Sequence, residues 1–286
     1  MKKIDYVFLS YLAVSTLFIV FAKDQSLQVC PLVLVRLLLL PLVFLLIYIG
    51  NKSIHPVVRL IRDAYPLMVS GYFYSETVHY NTLIFNNIDP LLIHLDEKLF
   101  GLQPSLVFSE VLSGKLFSEL MYFGYFSFYL LIAGFIVYLF FRKRNESERP
   151  VFELTFGMYA FYFLFCIIPA QGPQFYFSYP QNAVPEGLLF ASLVHFIQRI
   201  AEQPTGAFPS SHVGISFIIL ILSKRYIPRF FHLIWPVVLI LILSTVYIKA
   251  HYAVDVFGGL IMAPLLLIVS GWLYKKPDRR NLEVST

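Results

Sequence analysis

Two polar stretches in an otherwise apolar chain carry residues that can do chemistry. The first is Gly206-Ala207-Phe208-Pro209-Ser210-Ser211-His212-Val213, which precedes an apolar run. Ser210 or Ser211 can cap a helix starting there, and the free N–H groups of a helix start bind anions such as phosphate. His212 in the first turn can donate or accept a proton beside that anion. The plainer interpretation is a serine-capped membrane helix with a histidine at the interface.

The second stretch runs from Ser244 to Gly259 and includes Lys249, His251 and Asp255. His251 and Asp255 are four residues apart, so on a helix they share a face and the carboxylate can orient the imidazole. The other ring nitrogen is then a lone pair, as a nucleophilic or basic histidine requires. The alternative is a structural histidine–aspartate pair that braces two helices.

The composition of the chain indicates what kind of protein must position these residues. The chain has 286 residues, of which 58% are hydrophobic and 14% charged. That balance excludes a water-soluble or disordered protein. The two cysteines, Cys30 and Cys166, lie in apolar runs and predict neither a disulfide nor a metal site.

Apolar segments predict an all-α, polytopic membrane bundle with about eight spans. The expected spans lie near residues 7–22, 30–50, 65–84, 116–141, 151–169, 210–223, 231–249 and 252–273. The segment 65–84 is the least regular of them, because it contains Glu76 and His79. Residues 85–114 are expected to form an amphipathic surface helix with His94, Asp96 and Glu97 on its wet face. Arg36 within the second span is expected to pair with Glu76 or Glu153, or to extend towards the interface.

Alternating these spans across a bilayer places 16 of the 22 Lys and Arg residues on one side. By the positive-inside rule that side is cytoplasmic and holds both termini. The basic residues are therefore topology signals, and no nucleic-acid partner is expected. His212 and His251 both fall on the opposite side, periplasmic, extracellular or luminal. A pair of histidines beside an anion-binding helix end is typical of phosphoryl transfer without a metal.

These residues resemble the type 2 phosphatidic acid phosphatases, which share a fold with the vanadium haloperoxidases. The family's Pro-Ser-x-His motif matches Pro209 to His212, and its Ser-Arg-x5-His-x3-Asp motif matches Ser244, His251 and Asp255 in order and spacing. The first motif is expected near Pro169-Ala170-Gln171-Gly172-Pro173-Gln174. This part is similar to the divergent branch containing the inositol phosphorylceramide synthases.

The resemblance implies a six-helix catalytic core and a role for each matched residue. His251 would be the nucleophile, Asp255 its orienting partner and His212 the general acid. Ser210 and Ser211 would bind the phosphate oxygens. Thr245 and Gln174 stand where the family has basic residues. Positive charge is therefore expected from Lys249, which alternatively is an interfacial lysine, while Gln171 and Gln174 can donate neutral hydrogen bonds.

These expectations divide the chain into N-terminal membrane helices (1–64), a catalytic domain (65–274) and a cytoplasmic tail (275–286). The predicted function is an integral membrane lipid phosphatase or phosphotransferase that cleaves a lipid phosphate ester through a phosphohistidine. The alternatives are a synthase-like transferase that moves a phospho-headgroup to a lipid alcohol, and a non-catalytic lipid transporter. No cofactor is expected, the expected partners are a lipid phosphate and membrane lipids, and the oligomeric state is left open.

Overall fold

The computed structural model describes residues 1–21 and 29–275, and within those ranges every regular element is a helix. The predicted all-α class is confirmed. Residues 276–286, almost all of the predicted tail, lie outside the described residues, as does the side chain of Cys30. The α-helices of the described residues are α1 (Lys3–Val20), α2 (Val29–Lys52), α3 (Pro56–Met68), α4 (Ser70–Glu76), α5 (Asp89–Phe100), α6 (Pro104–Val111), α7 (Lys115–Arg142), α8 (Glu148–Ile167), α9 (Pro173–Tyr176), α10 (Leu189–Ala201), α11 (Ser211–Tyr226), α12 (Pro228–Tyr247) and α13 (Ala253–Lys275).

Six helices of the described chain are long and apolar enough to cross a bilayer, which supports an integral membrane protein. They are Lys3–Val20, Pro31–Lys52, Lys115–Arg142, Glu148–Ile167, Pro228–Tyr247 and Ala253–Lys275. The expected number of eight is therefore not confirmed. The two remaining predicted spans are a broken segment and a short central helix.

The segment predicted to span at residues 65–84 is not one helix. It contains the end of α3, the short helix α4 and a 3-10 turn at Thr77–His79. The carboxylate of Glu76 is buried and bonded by Arg36, whose Nη1 lies 2.6 Å from Oε2. This ion pair selects Glu76 from the two acids proposed as partners of Arg36. A second buried pair joins Arg62 of α3 to Asp5 of α1 at 2.6 Å.

Helix α11 is the central helix of the bundle. It packs against α7, α8, α12 and α13, and its inward residues are almost fully buried. Glycines permit that close packing, because a Cβ at Gly214 would lie 2.1 Å from Phe161 and one at Gly259 would lie 2.5 Å from the Ser210 carbonyl. With 16 residues, α11 is about 24 Å long and shorter than a typical span. Its N-terminus begins at the predicted chemistry.

The region 85–114 forms two short helices in place of the single surface helix expected. Helix α5 ends at Gly101, which adopts a left-handed conformation with φ of 72°. Asp89 and Asp96 on α5 are completely buried. The expectation that Asp96 lies on a wet face is wrong, because both carboxylates accept hydrogen bonds from backbone segments packed against α5.

Candidate active site

The N-terminus of α11 presents His212 at one end of the bundle. Ser210 is the N-cap, as predicted: its Oγ accepts the Val213 N–H at 3.3 Å and its carbonyl accepts the Gly214 N–H at 2.9 Å. The His212 ring lies between two aromatic rings, stacked on Tyr125 at 4.6 Å and beside Phe128 at 4.4 Å between ring centroids. These rings restrict the imidazole to one orientation.

His251 lies in the segment between α12 and α13 and is buried, at 3% exposure. Its Nδ1 is 2.8 Å from the carbonyl oxygen of Ala207 and 3.4 Å from Oδ2 of Asp255. Because a carbonyl can only accept, Nδ1 carries the proton and Nε2 is left with its lone pair. The expected orientation by Asp255 on a shared helix is therefore revised. His251 precedes α13, and Ala207 makes the shorter contact.

The two histidines face each other. Nε2 of His251 lies 3.4 Å from Nδ1 of His212, and the ring centroids are 5.5 Å apart. The residues are 39 positions apart in the chain and are brought together by the packing of α11 against α13. The structure thus places the lone pair of one imidazole beside the second, as a nucleophile and a proton donor require.

Asp255, in the first turn of α13, is completely buried. Its Oδ2 accepts the Tyr252 N–H at 2.8 Å, and its backbone carbonyl accepts the Ser210 N–H at 3.1 Å. The residue therefore links the His251 segment to the cap of α11. This linkage places Ser210 behind the helix end, fully buried, whereas Ser211 lies at the cleft.

Asp89 on α5 holds the loop predicted to carry the first motif. Its two carboxylate oxygens accept the N–H groups of Gln171 at 2.7 Å and Gly172 at 2.8 Å, and the hydroxyl of Tyr252 at 2.8 Å. Gly172 has φ of 90°, and a Cβ there would lie 2.7 Å from the Ala250 carbonyl. One carboxylate thus joins the first-motif loop to the His251 segment.

Asp96 holds the start of α13 in the same way. Its carboxylate accepts the N–H groups of Ala253 and Val254 at 3.0 and 2.9 Å, which are the free donors of that helix start. This role of Asp96 at the start of α13 was not predicted from the sequence. A signal existed, because Asp89 and Asp96 are seven residues apart and lie on one helix face.

Glu202 is a second residue that the sequence analysis missed. Its carboxylate accepts the Tyr125 hydroxyl at 2.6 Å and the Gln174 side-chain N–H at 2.7 Å. Gln198 completes the chain by donating to Gln174 Oε1 at 3.0 Å. Burial raises the pKa of Glu202, and these hydrogen bonds oppose that shift. No spacing in the sequence links Glu202 to the two histidine motifs.

These side chains surround a small cleft of about 10 Å³ beside the two imidazoles. It is lined by Tyr74, Tyr125, Gln171, Gln174, Glu202, Thr205, Gly206, Ala207, Ser211, His212, Ala250 and His251. The structure does not bring the Lys249 ammonium into this cleft, since Nζ donates to the Gln181 carbonyl at 2.6 Å. Among the described lining residues there is no Lys or Arg, and Glu202 brings an acidic group.

Burial lowers the pKa of His251 to about 4, although the Ala207 carbonyl and Glu202 oppose the shift. The ring is therefore neutral at pH 7. A neutral imidazole with its proton held at Nδ1 has a lone pair at Nε2 available for attack on an electrophile.

Comparison with known proteins gives a family for this geometry. Residues 91–269 match the model of the PAP2 superfamily. A PA-phosphatase related-family protein of Dictyostelium discoideum is 24% identical over 209 residues, which cover 65% of this chain and 38% of that protein. The chain thus spans well under half the length of that relative, and no solved structure matches it. The matched segment contains both histidines and the helices that hold them, and the chain belongs to the PAP2 superfamily.

Proposed function

We propose that this protein is an integral membrane lipid phosphatase or phosphotransferase that cleaves a lipid phosphate ester through a phosphohistidine at His251. The observation that carries the proposal is the 3.4 Å contact between Nε2 of His251 and Nδ1 of His212, with His251 Nδ1 held by the Ala207 carbonyl. It places an imidazole with a free lone pair next to a second imidazole that can carry a proton, the two groups that the reaction needs.

In the first step the Nε2 lone pair of His251 attacks phosphorus and an N–P bond forms. The P–O bond to the lipid breaks, and His212, which enters this step as the imidazolium, gives its Nδ1 proton to the leaving alkoxide and becomes neutral. The His251 ring becomes cationic, its proton remains on Nδ1 and is donated to the Ala207 carbonyl, and Asp255 Oδ2 lies 3.4 Å from the same nitrogen. In the second step His212 takes a proton from water or an alcohol, whose oxygen attacks phosphorus and releases His251.

Backbone donors are suited to hold the phosphate oxygens. Within the described chain, Ser210 uses the N–H groups of Val213 and Gly214, so those of Ser211 and His212 remain at the start of α11 to donate to an anion. Gln171 and Gln174 line the same cleft and can add side-chain donors. Ser210 contributes by capping α11 and not by binding the phosphate itself. Lys249 would have to break its hydrogen bond to the Gln181 carbonyl to bind the phosphate.

The side of the membrane follows from the charges at the two ends of the bundle. Helices α8, α11 and α13 have the histidines near one end and Arg149, Arg225 and Lys275 near the other. By the positive-inside rule the basic end is cytoplasmic. We therefore place the catalytic cleft at the periplasmic, extracellular or luminal face and the N-terminus in the cytoplasm.

The test is phosphate release from phosphatidic acid by purified protein without added metal. His251→Ala should abolish release, and His212→Ala should lower kcat by about 10²–10⁴-fold. His195→Ala is the matched control, because His195 is bonded to Tyr122 and lies outside the cleft lining. Labelled substrate should leave acid-labile, alkali-stable phosphate on the wild type and none on His251→Ala. Undiminished release by His251→Ala would refute the assignment, and lipid movement that survives loss of both histidines would indicate a transporter.

A specific observation favours transfer from a phosphodiester as the second candidate function. The described lining of the cleft has Glu202 and two glutamines and no Lys or Arg, so it stabilises a dianionic monoester less well than a singly charged diester. Adding an alcohol such as inositol to the assay separates the outcomes. A new phosphorylated alcohol identifies a transferase, and free phosphate alone identifies a phosphatase.

A further inference from the structure

A large cleft leads from His212 towards the other end of the bundle. It has a volume of about 520 Å³ and lies between α3 and α4 on one side and α7 on the other. It shares Tyr74, Glu202, Ser211 and His212 with the small cleft described above. Its remaining lining is mostly apolar and comes from α3, α4, α7, α8 and α10.

Polarity changes along this cleft in one direction. His212 and Glu202 lie at one end, whereas Ile136 and Val137 of α7 and Leu60 of α3 lie at the other. Along α7 the lining extends from Phe128 to Val137, which is about 14 Å at 1.5 Å per residue. The ligand that suits such a cleft has one polar end and an extended hydrocarbon.

We propose that this cleft binds the hydrocarbon chain of the lipid whose phosphate is transferred at the side of the His212–His251 pair. This inference rests on the proposed function and adds the position of the chain. The cleft volume lies within the roughly 300–1,000 Å³ of small-molecule sites, which suits one chain and is too small for a helix of another protein. The shared lining at His212 and Glu202 connects chain and phosphate in a single ligand.

The wall formed by α3 and α4 gives the proposal a consequence for selectivity. Its lining residues fall within 60–74, whereas the match to the PAP2 superfamily covers 91–269. Chain selectivity is therefore contributed by helices outside the matched segment. Two small residues line the cleft on different helices, Gly71 on α4 and Ala133 on α7.

Enlarging these two residues tests the cleft directly. A Cβ at Gly71 meets no atom within 4 Å, and Ala133 is an exposed residue of the lining, so Gly71→Leu and Ala133→Phe add side-chain volume at the cleft. In phosphatidylcholine nanodiscs, each variant should lower the ratio of kcat/KM for hexadecyl phosphate over butyl phosphate by roughly tenfold, because the longer chain loses its space. Leu130→Phe is the matched control, since Leu130 is exposed on α7 outside the lining, and it should keep the wild-type ratio.

A binding measurement separates this inference from the catalytic proposal. Hexadecyl phosphate with a diazirine near the chain end should label peptides of α3, α4 and α7 in wild type and in His251→Ala, and less in Ala133→Phe. Labelling in the cleft by a protein without phosphatase or transferase activity would refute the function and support the chain site. Activity with unchanged chain ratios in both cleft variants, or labelling confined to other helices, would refute the chain site and leave the catalytic proposal standing.

Discussion

Replacing Asp89 tests the way in which α5 positions the active-site loops. In Asp89→Ala the buried N–H groups of Gln171 and Gly172 and the hydroxyl of Tyr252 lose their acceptor. Each orphaned buried backbone donor costs about 1–3 kcal/mol, so the two N–H groups together give a destabilisation of about 2–6 kcal/mol. For a chain of 286 residues that corresponds to a fall in Tm of roughly 3–10 °C.

The assay can use the chain's own thiol. Cys166 is buried and free, so in a Cys30→Ser background a thiol-reactive dye reports exposure of Cys166 on unfolding. Two variants grade the effect: Asp89→Asn retains one acceptor oxygen, and Tyr252→Phe removes only the hydroxyl donor. We expect Tm to fall in the order wild type, Tyr252→Phe, Asp89→Asn, Asp89→Ala.

The loss of Asp89 should lower kcat even at temperatures at which the variant is still folded. The loop from Gln171 to Gln174 and the His251 segment both contact Asp89 or Tyr252, so kcat should fall in Asp89→Ala even well below its Tm. A variant Asp89→Ala with wild-type Tm and wild-type kcat would refute the reasoning that this carboxylate holds the two loops together.

Three further predictions follow from the site. Gly259→Ala places a Cβ 2.5 Å from the Ser210 carbonyl and should destabilise the fold by about 1–3 kcal/mol, measured as a lower Tm; an unchanged Tm would contradict the packing of α13 on α11. Because the pKa of His251 is about 4 when folded and near 6.5 when unfolded, the unfolded state binds the extra proton between those values. Stability should therefore fall by up to about 3 kcal/mol as pH drops from 6.5 to 4, and His251→Gln should flatten this part of the pH profile. Glu202→Gln removes a negative charge from the cleft and should tighten binding of inorganic phosphate by about tenfold at pH 8, measured by calorimetry; weaker binding would show that Glu202 donates to the anion.

The two histidine motifs could be found from the sequence because each consists of residues only a few positions apart. Ser210 precedes an apolar helix and caps it, and this arrangement requires only a few adjacent residues. The basic and apolar segments likewise predicted a helical membrane protein, since hydropathy over about 20 residues is a local property. The segment 65–84 was predicted less well, and the ion pair that buries its Glu76 joins residues 40 positions apart, which local hydropathy does not reveal.

The sequence by itself determined the fold class, the family motifs and the identity of the two imidazoles, because each depends on residue type and short spacing. Tertiary structure alone decided that Ala207 makes the shorter contact to His251, that Asp89 and Asp96 hold the loops, and that Glu202 lines the cleft while the Lys249 ammonium does not. The contacts of His251 with Ala207 and of Asp89 and Asp96 with the loops join residues 44 to 163 positions apart. Such positions result from the packing of whole helices, and no periodicity along the chain encodes them.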